Sequence, residues 1–314
     1  MRLGTRCAAL VAVSLWLGVL GAQSAPWRAH PDLQGFWNSG TMTPLQRPAA
    51  FADRAAFTPE EAADFERTFF ERVRQQLGPE FALQQSDFNE TYIEGVRLDG
   101  LRTSLIVDPS NGMLPPLLPV AKARVAGRPA RSYDDPEGAN LSERCLLGNV
   151  LFGSSASPPI VPNPVVSSYY QIVQTDDVVM IFTEWMHDAR IIRMGGTHVS
   201  SAVKKWLGDS VGRWEGETLV VDTTNFRVET HNQESSERLH VVERFTRPDP
   251  ETIRYHVTGD DPDTWAMSWT AEMPFKATNN KIYEFACHES NYAIENFLRG
   301  ARAEEKRRSA PAVR

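Results

Sequence analysis

The chain has 314 residues, 41% hydrophobic and 10% aromatic, with a formal net charge of −7. Eight Trp and fifteen Phe supply large apolar side chains for a packed core, and the acidic balance excludes the broad basic surface of a nucleic-acid binder. The only basic run, Lys306-Arg307-Arg308, follows Glu304 and Glu305 in a polar tail over 301–314 and reads as solvated chain.

At the N-terminus Arg2 and Arg6 precede an apolar run from Ala8 to Leu20 that ends in the small residues Gly21 and Ala22. That is the layout of a cleavable secretory signal over 1–22. The run is shorter than the roughly 20 apolar residues a membrane-spanning helix needs, and no later stretch is long and apolar enough to cross a bilayer. The expected destination is the periplasm or the medium. Cys7 leaves with the signal, so Cys145 and Cys287 remain in an oxidising compartment, where a disulfide between them is expected. A catalytic thiol at Cys287, activated by His288, is the competing reading.

Residues 23–300 read as a single β-rich domain. Residues 32–40, DLQGFWNSG, form a short strand with a Gly-x-Trp element. A helix is predicted over 58–77: Thr58 caps it, Pro59 takes its first position, Glu60 and Glu61 lie in its first turn, and Phe65, Phe69, Val73 and Leu77 make one apolar stripe. From 78 to 168 turn signals dominate, and the segment reads as irregular, Pro-rich chain draped on the domain, with Leu101, Leu105, Ile106 and Val107 as anchors. From 169 to 292 the hydrophobic period becomes two. Antiparallel strands are predicted near 169–175, 178–186, 190–194, 217–226, 238–247, 252–258, 265–275 and 281–288, with tight turns at Gly208 to Gly212 and Arg213 to Gly216. Such a succession predicts a mainly β fold, a single antiparallel barrel or strongly coiled sheet of lipocalin-like (calycin) type; a two-sheet sandwich is the alternative. No P-loop and no strand-linked G-x-G-x-x-G occurs.

The strings TEWMHDARIIRM at 183–194, WLGDSVGRWEGETLVVDTTNF at 206–226, SSERLHVVERFTR at 235–247 and YEFACHESNY at 283–292 resemble a family of uncharacterised exported bacterial proteins. TPLQRP at 43–48 and RTSLIVDP at 102–109 extend the resemblance over most of the mature chain. It implies export and no particular activity. Gly35-Phe36-Trp37 is similar to the Gly-x-Trp of lipocalins, a match of three residues.

A carboxylate on the same strand face as large apolar residues is either buried with a partner or lines a cavity. Glu243 shares a face with Leu239, Val241 and Phe245; Glu184 with Met180, Phe182 and Met186; Glu289 with Tyr283, Phe285 and Cys287. Arg190, Arg244 and His288 are nearby partners, so each glutamate reads as half of a structural ion pair or as an acid or base in an apolar cavity. Each of His187, His240 and His288 lies within three residues of a carboxylate, Asp188 among them. No cofactor is expected, although these three imidazoles would serve a metal ion if their strands converged. His240 falls on the opposite strand face from Glu243, which counts against that.

Three functional readings follow. The first is an exported protein that holds an apolar or amphipathic small molecule in a barrel cavity, with Trp37, Trp185, Trp214, Trp265, Trp269 and Tyr292 as aromatic contacts and Asn225, His240 and Arg244 as polar ones. The second is a cofactor-independent hydrolase, lyase or isomerase with Glu243 or Glu184 as general base and His187 or His288 as its partner. The third is a structural, envelope-interaction protein. A small molecule is the expected partner in the first two.

Overall fold

Alternating side chains give each strand one face for an interior, and in the computed structural model those faces close on one another. The structure describes residues 29–69, 71, 96–128, 133–147, 155–161, 168–230, 234–289 and 291–309. Residues 1–22, expected to be a secretory signal, lie outside these residues, as do Val73 and Leu77 of the predicted helix. The strands are β1 (Gly35–Asn38), β2 (Ile106–Asp108), β3 (Tyr169–Gln174), β4 (Val178–Thr183), β5 (Ala189–Met194), β6 (Asp209–Glu215), β7 (Thr218–Thr224), β8 (His240–Asp249), β9 (Thr252–Asp260) and β10 (Trp269–Ala277). The helices are α1 (59–69), α2 (Pro119–Ala126) and α3 (Ala293–Ser309).

The ten strands pair in the order β1-β3-β4-β5-β6-β7-β8-β9-β10-β2. Pairing of Trp37 with Ala277 and Asn38 with Lys276 joins β1 to β10 and closes nine strands into a barrel, leaving β2 outside on the same edge of β10. All pairs are antiparallel except β5 and β6. Parallel neighbours need a crossover, and residues 195–208 provide it. The fold is thus the mainly β barrel expected, with this one departure from a simple meander.

Inside the barrel lie Val241, Glu243 and Phe245 of β8, Ile253, Tyr255 and Val257 of β9, and Trp269, Ala271, Met273 and Phe275 of β10, all at most 1% exposed. Their rings interlock: Phe245 and Tyr255 lie 5.0 Å apart, Tyr255 and Phe275 5.3 Å, and Tyr170 and Phe275 5.4 Å. Each Val, Ile, Met or Phe side chain among them contributes about 1.5–3 kcal/mol by leaving water. At α1 the expected cap forms a reciprocal box, with Glu61 N–H donating to Thr58 Oγ1 at 3.2 Å and Thr58 N–H to a Glu61 carboxylate oxygen at 2.8 Å.

Several expectations are corrected. Residues 209–215 form β6 where tight turns were predicted. Gly212 is needed there for close approach: a Cβ would come within 2.8 Å of Ile192 and Met194 on the neighbouring strand. Residues 281–288 form no strand; the Tyr283 N–H and the Phe285 carbonyl bond to the side chains of Glu184 and His187 in place of a sheet edge, and the segment lies over the barrel as an irregular strap. Strand β4 ends at Thr183, and residues 184–188 turn back with Met186 and His187 at positive φ. The strand predicted from Trp265 starts at Trp269, after a turn in which Asp261 accepts the hydroxyl and backbone bonds of its neighbours. The polar tail is helical to Ser309; pairs such as Arg299 with Glu295 brace α3, and Lys306 to Arg308 sit in its last turn, where the helix dipole favours cations.

The 78–168 segment is more than a drape in its described parts. It contributes β2 and α2, and its residues 155–160 are buried without exception. Ile160 belongs to the barrel core and donates its N–H to the Tyr255 hydroxyl at 3.0 Å, while the Tyr170 hydroxyl donates to the Ser155 carbonyl at 3.4 Å. This stretch enters the barrel and helps fill it.

Candidate functional site

Three polar assemblies stand out, one inside the barrel, one under the strap and one on the outer face. In the interior, Arg190 of β5 reaches across to Glu243 of β8 with two parallel bonds, Nη1 to Oε2 at 2.7 Å and Nη2 to Oε1 at 2.9 Å. Both side chains are at most 1% exposed. The Tyr255 hydroxyl donates to Glu243 Oε1 at 2.9 Å, and burial, followed by the charge of Glu243, pushes the pKa of the phenol well above its ordinary value. The forked geometry offsets much of the cost of taking two charges out of water. Arg190 Nε has no hydrogen-bond partner among the described residues. The assembly is sealed by packed side chains and by residues 155–160, and its evident work is to tie β5, β8 and β9 together.

The strap lies over the β4–β5 turn and is tied down at three points. Tyr283 N–H donates to Glu184 Oε2 at 3.0 Å, His187 Nδ1 lies 3.0 Å from the Phe285 carbonyl, and Cys287 is joined to Cys145, with Cα atoms 5.7 Å apart. The disulfide expected from cysteine counting is therefore present, and Cys287 is not a free thiol. Trp185 packs on Phe285 with ring centres 4.6 Å apart. Between strap and turn runs a cleft of about 520 Å³ lined by Phe182, His187 and residues 282–289. Its apolar lining residues include Phe182, Ile282, Tyr283 and Phe285, and its polar ones His187, Glu284, His288 and Glu289. Its volume falls in the range of small-molecule sites, and it is open to solvent beside Tyr283, which is 76% exposed.

On the outer face, charges run in a chain. His198 of the crossover places Nδ1 3.1 Å from Asp209 Oδ2 and Nε2 2.9 Å from Asp222 Oδ1; Asp222 Oδ2 then meets His240 Nε2 at 2.9 Å. Asp209 also receives Arg193 at 2.8 Å, Lys205 at 2.5 Å and the Val199 N–H at 3.0 Å. Burial raises the Asp222 carboxyl, but bonds from His240 and His198 outweigh it and hold it below the usual range. Asp209 is likewise raised by burial and brought down further by Lys205, the Val199 N–H and His198. The bond to Asp222 lifts His240 above the ordinary imidazole value, against the opposing effect of burial.

Of the residues expected to carry function, His187, His288 and Glu289 meet at the cleft, with Glu184 and Trp185 beneath the strap. Glu184 is buried by the strap and not by the strand face proposed for it, and Glu289 is exposed because no strand forms there. Asp188 accepts a bond from the Ser155 hydroxyl at 3.2 Å. His240 stands apart from His187 and His288, on the outer face with Asp222, so those three imidazoles do not share a site; among the described residues no group of three or more His, Cys, Asp or Glu is placed to hold a metal ion. Trp37, Trp265 and Trp269 are core residues, at most 3% exposed, the last two edge-to-face at 5.9 Å. Trp214 stacks on His30, Arg244 pairs with Glu215 at 2.9 Å on the surface, and Tyr292 is exposed before α3. Asn225, at positive φ, donates to the Val199 carbonyl at 3.1 Å and so holds the crossover.

Sequence reasoning missed His198, Asp209, Asp222, Tyr255 and Phe285 as site residues. Period two does place Asp222 and His240 on outward faces, but strand register, which brings them together, has no local signal.

Fold and cleft together define a closed β-barrel protein with a disulfide-anchored strap and a side cleft. Comparison of the chain with protein-family models, with curated proteins and with solved structures finds no match.

Proposed function

We propose that this is an exported small-molecule binding protein whose apolar or amphipathic ligand sits in the cleft between the strap and the β4–β5 turn. The observation that carries this reading is the cleft itself: about 520 Å³, with Phe182, Ile282, Tyr283 and Phe285 among its apolar lining residues and two imidazoles and two carboxylates among its polar ones. The barrel interior is a poorer seat for a ligand, since Arg190, Glu243, Tyr255 and the ring cluster already occupy it. The disulfide and the bonds from Glu184 and His187 to the strap's backbone favour a cleft shaped before the ligand arrives. Export is supported by the Cys145–Cys287 disulfide, by the charged and apolar pattern of residues 1–22 and by the resemblance to exported bacterial proteins. Among the described residues no helix is long and apolar enough to cross a membrane.

Titration of the mature protein with anilinonaphthalene sulfonate, an amphipathic fluorescent probe, tests the reading. Saturable binding that weakens about tenfold in Phe285→Ala is expected, since removing a wall aromatic typically costs that much. Absence of saturable binding, or binding indifferent to Phe285→Ala, would overturn it.

A further inference from the structure

Strand β4 lacks the alternation of apolar and polar residues seen in β9. Its residues 178–182, Val-Val-Met-Ile-Phe, are apolar without interruption. Val179 and Ile181 point inward and are 1% exposed, whereas Val178, Met180 and Phe182 point outward and are partly exposed. Register sets Met180 between Val173 of β3 and Ile191 of β5, the latter 50% exposed. An antiparallel strand with one wet face carries polar residues there, and an unbroken apolar run is the mark of a strand covered on both faces. At Phe182 this outer patch runs into the cleft beneath the strap.

The polar lining of the cleft adds a condition on charge. Glu284 and Glu289 are exposed in it with no hydrogen-bond or ion-pair partner among the described residues, and no Lys or Arg is among its lining residues. Unpaired carboxylates attract a cation, and aromatic rings such as those of Tyr283 and Phe285 do the same. Arg193, opposite Val178 at the far end of the row, is engaged by Asp209 at 2.8 Å, so that guanidinium is already neutralised.

We propose that the ligand of the cleft is a cationic amphiphile with one straight alkyl chain: its ammonium head sits by Glu284 and Glu289, and its tail leaves the cleft past Phe182 and lies along the outer row to Met180 and Val178. This rests on the cleft being a small-molecule site. Phe182 to Val178 spans about 14 Å, the length of an extended chain of about a dozen carbons, and the patch on β3, β4 and β5 is about 10 Å wide. Such a patch fits one alkyl chain and is far smaller than the roughly 800 Å² per partner that a stable protein interface takes. A second copy of the chain is therefore the poorer occupant.

Calorimetric titration of the full mature chain with alkyltrimethylammonium ions, kept below their micelle concentrations, tests this. Dodecyltrimethylammonium should bind once per chain, displace anilinonaphthalene sulfonate and bind about tenfold more tightly than dodecyl sulfate. From about eight to about twelve carbons its affinity should rise about threefold to fourfold per methylene. Glu284→Gln combined with Glu289→Gln should remove the preference for the cation and leave anilinonaphthalene sulfonate binding intact, whereas the same change of charge on α3, Glu295→Gln with Glu305→Gln, should not. Ile191→Asn, at an exposed position, should flatten the chain-length dependence, and Met180→Asn should do the same. Equal affinity for ammonium and sulfate would overturn the proposal, as would a chain-length gain that survives both Ile191→Asn and Met180→Asn. In either case saturable anilinonaphthalene sulfonate binding that weakens in Phe285→Ala would leave the cleft reading standing. Failure of both probes to bind would overturn the two together.

Discussion

Glu243 and His240 stand three residues apart on β8 and face opposite sides of one sheet, and their partners behave differently for that reason. Glu243 points inward to Arg190 and Tyr255, where exposure is at most 1% and no water competes. His240 points outward to Asp222, at 41% and 29% exposure, where water and salt weaken the pair but protons come and go. The comparison separates two uses of the same chemistry. Inside, opposite charges fix which strands meet, at a desolvation cost that makes breaking the pair expensive. Outside, a carboxylate and an imidazole contribute little to stability and respond to pH.

The sharpest way to break this comparison is Arg190→Met, which leaves the Glu243 carboxylate buried without its cation. A loss of about 3–5 kcal/mol is expected in urea unfolding at neutral pH. Combining it with Glu243→Leu should recover much of that loss, because an apolar pair of similar volume carries no stranded charge. A cost under about 1 kcal/mol for the single variant would mean that water reaches the interior pair after all.

A smaller effect is expected from Tyr255→Phe. It removes one partner from Glu243 Oε1 and one acceptor from the Ile160 N–H, at about 1–3 kcal/mol. The loss should be accompanied by faster amide exchange at Ile160, which would show that the phenol also holds residues 155–160 inside the barrel.

The smallest effect belongs to the outer face and is read from the pH dependence of stability. His240 is raised on folding, so its contribution is complete below the unfolded imidazole value of about 6.5 and fades as pH rises through the folded value. Asp222 is lowered, so its contribution is present above the unfolded carboxyl value of about 3.9 and fades as pH falls through the folded one. Stability from this pair should therefore peak between about pH 4 and about pH 6.5. Asp222→Asn should flatten both limbs, by about 1 kcal/mol or less given the exposure of the pair. Limbs that persist in the variant would place the titrating groups elsewhere.

Local chemistry was enough to read some of these features. The alternation of Ile253, Tyr255 and Val257, and of Trp265, Met267, Trp269, Ala271, Met273 and Phe275, assigned those side chains to one face without knowledge of any neighbour, and all but Met267, which is 51% exposed ahead of β10, lie in the core. Thr58, Pro59 and Glu61 marked the start of α1 because capping involves residues three apart. The two mature cysteines allowed one pairing. Glu243 was legible as a buried carboxylate from its strand face, although its partner was not: Arg244 is the adjacent residue, while Arg190 lies 53 residues away. Residues 281–288 misled for the same reason that others did not: Tyr283, Phe285 and Cys287 alternate as a strand would, and nothing local says that their backbone meets the side chains of Glu184 and His187 in place of a strand. Gly212 misled in the opposite sense, since a glycine that marks a turn and one that admits Ile192 and Met194 look alike.

The sequence by itself determined the charged and apolar pattern of residues 1–22, the β class, the inward faces of the long strands, the cap of α1 and the identity of the cysteine pair, because each depends on spacing along one stretch of chain or on simple counting. Only the tertiary structure decided that the barrel closes through β1 and β10, that residues 155–160 enter it, that Arg190 is the partner of Glu243, that the 282–289 strap forms a cleft with His187, and that His198 bridges Asp209 and Asp222. Each of those depends on register and on contacts between distant residues, which are set by how the whole interior packs and leave no mark on the local pattern.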